Sequence, residues 1–289
     1  MLKGTYVFKQ DGVEIGRSEN VITTNGKNTI VQYLAGAVTD WASAISVGAI
    51  STATSVSDTN LYYEIARTPV TLKSYIYGTP NIIVVKGTID STVAANIYEI
   101  GVYPYSTSQV FGKRDQLIID DFSNIANWSG TYTTNAYAAQ SPISPRSGLY
   151  NVNLTSGNAI TNSSLVLNFS TYSTIDTVDL LVNVPSGSSG TLTLTFTDVN
   201  GLTSTISYPY SSTGYQVLSQ VFPSSVFNLS TVSTVSLSST SNITVDAMRV
   251  SVNAELSNSA ALVSRSVLST PIAKIAGTPL DIEYYVQLS

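Results

Sequence analysis

The sequence predicts a mainly β chain: a small mixed β domain with one α-helix, interrupted by an inserted antiparallel β-sandwich. Three observations carry this. Glutamate is absent between Glu99 and Glu255, and lysine between Lys113 and Lys274, so a charge-poor middle sits between flanks of ordinary charge. A composition shift of this kind marks a domain boundary, and it occurs twice. Second, apolar residues in many segments alternate with Ser and Thr at a period of two, the pattern of half-buried strands. Third, only one segment carries apolar residues at helical spacing. The flanking domain is assigned residues 1–115 plus 253–289, and the insert residues 116–252.

In the flanking domain, residues 5–22 form a β-hairpin. Asp11-Gly12 is a two-residue turn that tolerates positive φ at both positions. It sets Phe8 opposite Ile15 and Lys9 opposite Glu14, an apolar pair on one face and an opposite-charge pair on the other. A helix follows, capped by Thr24 or Asn25. Ile30, Tyr33 and Leu34 form its apolar stripe, and Gly36 takes the left-handed position at its end. Gly26 and Asn28 weaken its first turn. Residues 45–48 form a short strand, and a polar loop runs over 51–60. Further strands are predicted around 70–77, 82–89 and 97–103. Near the far end, Ile282, Tyr284, Val286 and Leu288 alternate with Asp281, Glu283, Tyr285 and Gln287, so a half-buried strand closes the domain.

Four stretches follow one another here: Asn-Val-Ile-Thr-Thr-Asn-Gly (20–26), Ile-Ser-Val-Gly (45–48), Leu61-x-x-Glu64-x-x-Arg67 and Ile-Tyr-Glu-Ile-Gly-Val-Tyr (97–103). Their order and spacing resemble the attachment domain of tailed-bacteriophage tail-fibre and collar proteins. The resemblance covers about residues 20–103, with 262–288 as a closing hairpin. It implies docking onto a virion, other virion proteins as partners, and a homo-oligomer (a trimer). The insert departs from that family, as does the lack of Gly-x-y repeats and sustained heptads. A long fibre is therefore not expected; a tail tip, baseplate, collar or short fibre is. Glu64 and Arg67 can pair with each other or with Glu99, as structural ion pairs.

In the insert, Val178, Leu180, Val182 and Val184 share one face, as do Leu192, Leu194 and Phe196. A three-residue loop (Asn200, Gly201, Leu202) sets Phe196 opposite Ile206, Leu194 opposite Tyr208 and Leu192 opposite Tyr210. The last strand, 243–252, puts Met248, Val250 and Val252 on the core face. The opening Ile118-Ile119-Asp120-Asp121-Phe122, then Trp128, then Arg146-Ser147-Gly148-Leu149-Tyr150, and the ending Ile243 to Val250, resemble non-catalytic carbohydrate-binding jelly rolls. That resemblance implies binding of host-surface polysaccharide.

Two constellations are candidates for chemistry. Trp128, Tyr132, Tyr137, Tyr210 and Tyr215 offer flat aromatic faces to sugar rings, although tyrosine equally fills sandwich edges and subunit interfaces. Asp120, Asp121 and Asp246 can hold a structural calcium ion through hard oxygen ligands, or cap turns and pair with Arg146 and Arg249. No other cofactor is expected. The chain has no histidine and no cysteine, which removes Ser-His-Asp and Cys-His catalysis and His-ligated zinc. A net charge of −5 offers no basic stripe for nucleic acid. No apolar run is long enough to span a bilayer, and the first residues lack a secretory signal. The expectation is therefore a virion protein assembled in a host cytoplasm, not an enzyme, whose sandwich touches glycan. The alternatives are a capsid decoration or neck protein with a purely structural sandwich, and, ranked below it, a glycan depolymerase.

Overall fold

The computed structural model describes residues 2–78, 81–104, 117–172, 176–221, 230–251 and 262–288. The expected domain boundaries at 115/116 and 252/253, and the expected core position of Val252, lie outside the described residues. The chain forms two compact units, Met1–Lys113 with Glu255–Ser289, and Arg114–Ala254. The first contains β1 (Leu2–Gln10), β2 (Val13–Glu19), β3 (Val21–Ile22), α1 (Thr24–Leu34), β4 (Ala44–Gly48), β5 (Glu64–Pro69), β6 (Leu72–Ile76), β7 (Ile82–Ile89) and β8 (Ala95–Tyr103). The second contains β9 (Leu117–Asp120), β10 (Trp128–Gly130), β11 (Thr133–Ala136), β12 (Tyr150–Leu154), β13 (Ala159–Asn162), β14 (Thr177–Val184), β15 (Gly190–Asp198), β16 (Thr203–Tyr210), β17 (Gly214–Val221), β18 (Val232–Ser239) and β19 (Ile243–Ser251). The first unit is completed by β20 (Ser264–Lys274) and β21 (Leu280–Leu288). The fold is mainly β with one α-helix and antiparallel sheets, as the sequence predicts.

Two five-stranded sheets build the first unit, ordered β2-β1-β21-β7-β6 and β3-β20-β8-β4-β5. Their apolar faces share one core that includes Phe8, Ile45, Val85, Ile100 and Ile282. Within it Tyr6 stacks on Tyr284 at 4.5 Å, and the Tyr6 hydroxyl meets Ser264 Oγ at 2.5 Å. The expected closing hairpin at 262–288 is corrected: β20 and β21 lie in different sheets, so they sandwich the core instead of pairing.

Asp11 and Gly12 take φ of 51° and 79°, the two-residue turn that the β1–β2 hairpin requires. Lys9 does face Glu14, but a bulge after Phe8 sets Phe8 opposite Gly16 rather than Ile15. Ile272 of β20 fills the space beside Gly16, its Cδ1 2.5 Å from where a Cβ on residue 16 would stand. The Lys9 ammonium turns to Glu283 of β21 at 2.8 Å, and Lys86 reaches the same carboxylate at 2.5 Å. Burial alone would raise the Glu283 pKa, but Lys86, Lys9 and the Tyr285 hydroxyl pull it down to about 2.

The helix differs from expectation in two ways. Its cap is Thr23, whose Oγ1 accepts from Gly26 N at 2.9 Å while donating to Leu262 O at 2.5 Å. The buried positions are Gly26 and Thr29, not the apolar stripe. Ile30 touches the core, whereas Tyr33 and Leu34 stay exposed, Leu34 at 78%. Thr23 pins the helix start against the backbone at 262–263, and a Cβ on Gly26 would fall 1.9 Å from Val263 O. Close backbone approach, not an apolar stripe, therefore sets the helix orientation.

The stretches singled out by their order converge on the second of these sheets, which holds β3, β4, β5 and β8. At its centre Arg265 of β20 is wholly buried. Its guanidinium bonds Glu99 Oε2 (2.9 Å from Nε and 2.8 Å from Nη2), Asp58 Oδ2 (3.0 Å) and the carbonyls of Thr52 (3.0 Å) and Ala53 (3.4 Å). Glu99 also accepts from the backbone N–H groups of Tyr63 (3.0 Å) and Tyr62 (3.2 Å). The Tyr62 ring lies 4.6 Å from the guanidinium. Gly48 is required beside this node, because a Cβ there would stand 2.6 Å from Glu99 Oε1 and Tyr63 O. Of the pairings open to Glu64 and Arg67, the structure has them with each other, through bonds of 2.9 and 2.6 Å, with the Arg67 guanidinium 4.0 Å from the Tyr103 ring centre. Glu99 takes Arg265 instead.

Removing Arg265 would leave two buried carboxylates without their cation. Arg265→Ala should destabilise the first unit by about 3–5 kcal/mol in chemical denaturation. Gly26→Ala should also destabilise, although Ala is favoured over Gly in a helix by about 1 kcal/mol; a rise in melting temperature would contradict the close approach at Val263.

Candidate functional site

The second unit is a sandwich of two sheets. One is ordered β10-β13-β18-β15-β16; the other is β11-β12-β19-β14-β17, with β9 also paired to β19. Val152, Leu154, Val178, Leu180, Val182, Val245, Met248 and Val250 of the second sheet meet Leu192, Leu194, Phe196, Val235 and Leu237 of the first in one apolar core. Alternation then puts polar partners on the outer face of the six-stranded sheet. One rung crosses five strands: Thr133 opposite Asn153, Asn153 opposite Thr244, Thr244 opposite Asn183, and Asn183 opposite Tyr215. Thr133 is exposed, Asn153, Asn183 and Tyr215 are half-buried, and Thr244 is buried. Thr244 Oγ1 donates to Asn153 Oδ1 at 2.6 Å, and Asn153 Nδ2 donates to Thr133 Oγ1 at 3.3 Å. The Asn135 amide joins Asn151 (2.9 Å) and Asn153 (3.4 Å). The Asn183 amide makes no side-chain hydrogen bond among the described residues. The rung thus places a ring edge, an uncommitted amide, a hydroxyl and a second amide in line.

A bulge shapes this face. β19 pairs regularly with β14 except between Leu181 and Val182, where the register shifts. The extra residue is Asp246, wholly buried, whose Oδ2 accepts from Arg146 N (2.7 Å) and Oδ1 from Ser147 N (3.2 Å). Those bonds pin the segment before β12 to the sheet. Arg146 then lays its guanidinium over the Tyr215 ring at 3.8 Å, and the Tyr215 hydroxyl donates to Ser144 O at 3.0 Å. Burial raises the Asp246 pKa to about 7, against the backbone N–H groups of Arg146 and Ser147, the Arg146 charge and the Tyr215 hydroxyl. Farther along the same face, Asp179 accepts from Ser219 (2.6 Å) and Ser251, with Arg249 at 3.6 Å.

The aromatic residues singled out from the sequence do not form one platform. Trp128 is buried, tilted against Phe122 at 5.2 Å, with its Nε1 donating to Asp120 Oδ2 at 2.9 Å. Tyr210 is buried too, its hydroxyl 2.9 Å from Ser239 Oγ and from Ser241 O. Both are core members, so neither presents a face to a sugar. Tyr132 is half-buried, with its hydroxyl on Trp128 O at 3.1 Å, and Tyr137 is half-buried as well. Tyr215 alone of the five lies on the polar rung. The three aspartates are likewise corrected as a calcium site. Asp120 accepts from Phe122 N and the Trp128 indole, Asp121 from Ser123 N, and Asp246 from the Arg146 and Ser147 amides. Oxygens that face N–H donors do not converge on a cation, and no group of three or more acidic side chains among the described residues could hold a metal ion. The first unit holds a polar cavity of about 340 Å³ lined by residues 57–62, in which Asp58 is committed to Arg265 and to Ser55 N.

Sequence reasoning missed the asparagines. Asn151, Asn153 and Asn183 are the polar alternates of apolar strands, a position shared by any solvent-facing residue, so only the register distinguishes them.

No family model matches the chain, and neither does any curated protein. Among solved structures it is similar to a family 11 carbohydrate-binding module from Clostridium thermocellum in complex with a β-1,3-1,4-mixed-linked tetrasaccharide, at 16% identity and a TM-score of 0.32, over 47% of this chain and 94% of that one. It is similar to a C-terminal family 22 carbohydrate-binding module of C. thermocellum Xyn10B at 12% identity and a TM-score of 0.30, over 50% of this chain and 98% of that one. An exo-β-agarase is similar at 13% identity and a TM-score of 0.37; the match covers 49% of this chain but only 26% of the agarase.

Asp246 and Glu283 should respond oppositely to acid. A carboxyl whose pKa is raised by folding destabilises as pH climbs from its unfolded pKa, about 4, to its folded one. Asp246 therefore lowers the second unit's stability between about pH 4 and its folded pKa of about 7. Glu283, with its pKa lowered to about 2, stabilises the first unit at neutral pH and loses that contribution as pH falls below about 4. The chain has two tryptophans, Trp41 and Trp128, one in each unit. In Trp41→Phe, the urea midpoint read from Trp128 should rise as pH drops from 7 to 4.5. Asp246→Asn should flatten that rise.

Proposed function

We propose that this chain is a non-catalytic component of a tailed-phage particle whose second unit binds host-surface glycan across the outer face of its six-stranded sheet. The observation that carries the glycan reading is the rung Thr133–Asn153–Thr244–Asn183–Tyr215. Sugar hydroxyls both donate and accept, and an amide side chain offers both functions in one plane. A rigid sheet holds these groups at fixed spacing, so little ordering entropy is lost on binding. The Tyr215 ring, half-buried under the Arg146 guanidinium, sets the end of the rung. The particle context rests on the order of motifs in the first unit, whose segments share one sheet around Arg265. In this reading the first unit docks and the second projects.

A second reading keeps the particle but makes the sandwich purely structural. The burial of Trp128 and Tyr210 favours it, since neither can stack on a ligand.

Titration of the full chain against capsular polysaccharide and lipopolysaccharide fragments separates the two. Saturable binding is expected, weakened at least tenfold by Asn183→Ala or Asn153→Ala with the circular dichroism unchanged. Tyr210→Phe should bind as the parent does. No binding at millimolar sugar would leave the structural reading standing.

A further inference from the structure

We infer that β6 is a dimerisation edge, along which two copies of this chain join the β2-β1-β21-β7-β6 sheet of each into one continuous sheet. β6 ends that sheet, with no strand beyond it among the described residues. An exposed edge is a template for another strand, and stable monomers protect such edges with charges, proline or bulges. β2, at the opposite edge, carries Glu14, Arg17 and Glu19. β6 has one charge, Lys73, and it is withdrawn into an ion pair with Asp40. The rest of the edge is apolar and open. Tyr75 is 57% exposed and Tyr77 88%, with Leu72, Ile76 and the neighbouring Ile83 of β7 also exposed. Alternation puts Tyr75 and Ile83 on one face of the sheet and Leu72 and Ile76 on the other, so the edge is apolar on both faces rather than carrying scattered single apolar residues.

The strand's own sequence favours a second β6 as the occupant. In a continuous sheet about a two-fold axis, residues opposite one another must lie on the same face, so their numbers sum to an even value. Pairing centred on Ser74 sets Leu72 opposite Ile76 twice, and sets Tyr75 over the aliphatic stem of Lys73 twice. Ser74, small and half-buried, then meets itself on the axis. Moving the centre to Tyr75 sets Ile76 against Ser74 and Leu72 against Gly78, which loses both apolar pairs; moving it to Lys73 keeps only Ile76 opposite Val70. The interface is isologous and closes at two copies, unlike the trimer that the tail-fibre resemblance implies. It does not depend on what the sandwich binds.

The chain has no cysteine, so a single introduced thiol can only cross-link two copies. Directly opposed antiparallel residues have Cα atoms about 4.5–5.5 Å apart, within disulfide range. Under mild oxidation Ser74→Cys should give a covalent dimer in high yield, while Ile15→Cys on the β2 edge should give no cross-linked dimer. Light scattering on the unmodified chain should give twice the chain mass, and Ile76→Lys should return it to the single-chain mass. A monomeric parent at 100 µM, a trimer, or cross-linking through residue 15 instead of 74 would each overturn the assignment.

Discussion

Arg265 organises the first unit. One buried cation reaches two carboxylates and two carbonyls drawn from separate stretches: the 52–58 loop, β8 and, through Glu99, the backbone at 62–63. A buried ion pair adds little net stability over an apolar substitute, because desolvation offsets the attraction. Its effect is on specificity. The loop over 51–60 has few apolar side chains, so the hydrophobic effect alone gives it no single conformation. The fork of the guanidinium does, because each N–H has one acceptor at a set angle. Gly48 and Gly101 follow from the same crowding: the node and Leu262 occupy the space where their side chains would stand. The motif residues near Glu99 are therefore mutually dependent parts of one polar centre.

Much of the fold was legible in the sequence, and what was missed has identifiable causes. The Asp11-Gly12 turn and the alternation in β14, β15 and β21 depend on local sterics and on one buried face, and both signals lie within a few residues. The β15–β16 loop, expected to be residues 200–202, instead runs over the four residues 199–202 between the strands, and the pairing shifts with it. Asp198 accepts from Asn200 N and Leu202 N and closes the loop around Gly201 at φ 82°, so Leu194 faces Ile206 and Leu192 faces Tyr208. A two-residue slip preserves the faces, which is why hydrophobic pattern alone could not detect it. The exposure of Tyr33 and Leu34 was invisible because the partner of the helix is backbone, not side chain.

The candidate site was less legible than the fold. Aromatic residues suggested sugar stacking, yet composition carries no information on which sheet face a tyrosine takes. Tyr208 and Tyr210 point inward because β16 alternates opposite β15, and Tyr215 points outward because β17 pairs with β14 in the next layer. The aspartates suggested a cation, but each sits where a turn or bulge exposes backbone N–H groups, which use the same lone pairs. The polar rung is a property of cross-strand register, and register between strands as distant as β12 and β19 is set by tertiary packing.

The position of β21 has a consequence for biosynthesis. It is the central strand of its sheet, flanked by β1 and β7, although it follows both of them in the sequence by nearly 200 residues or more. On the ribosome, the amino-terminal hairpin emerges long before the strand that must lie beside it. The second unit has no such dependence, since all of its strands are synthesised in one run. It can close first, while the earlier segment waits with an open sheet edge. A nascent chain of this design holds the β1–β8 segment unfinished until β21 has emerged, and that interval is when a holdase chaperone would find it.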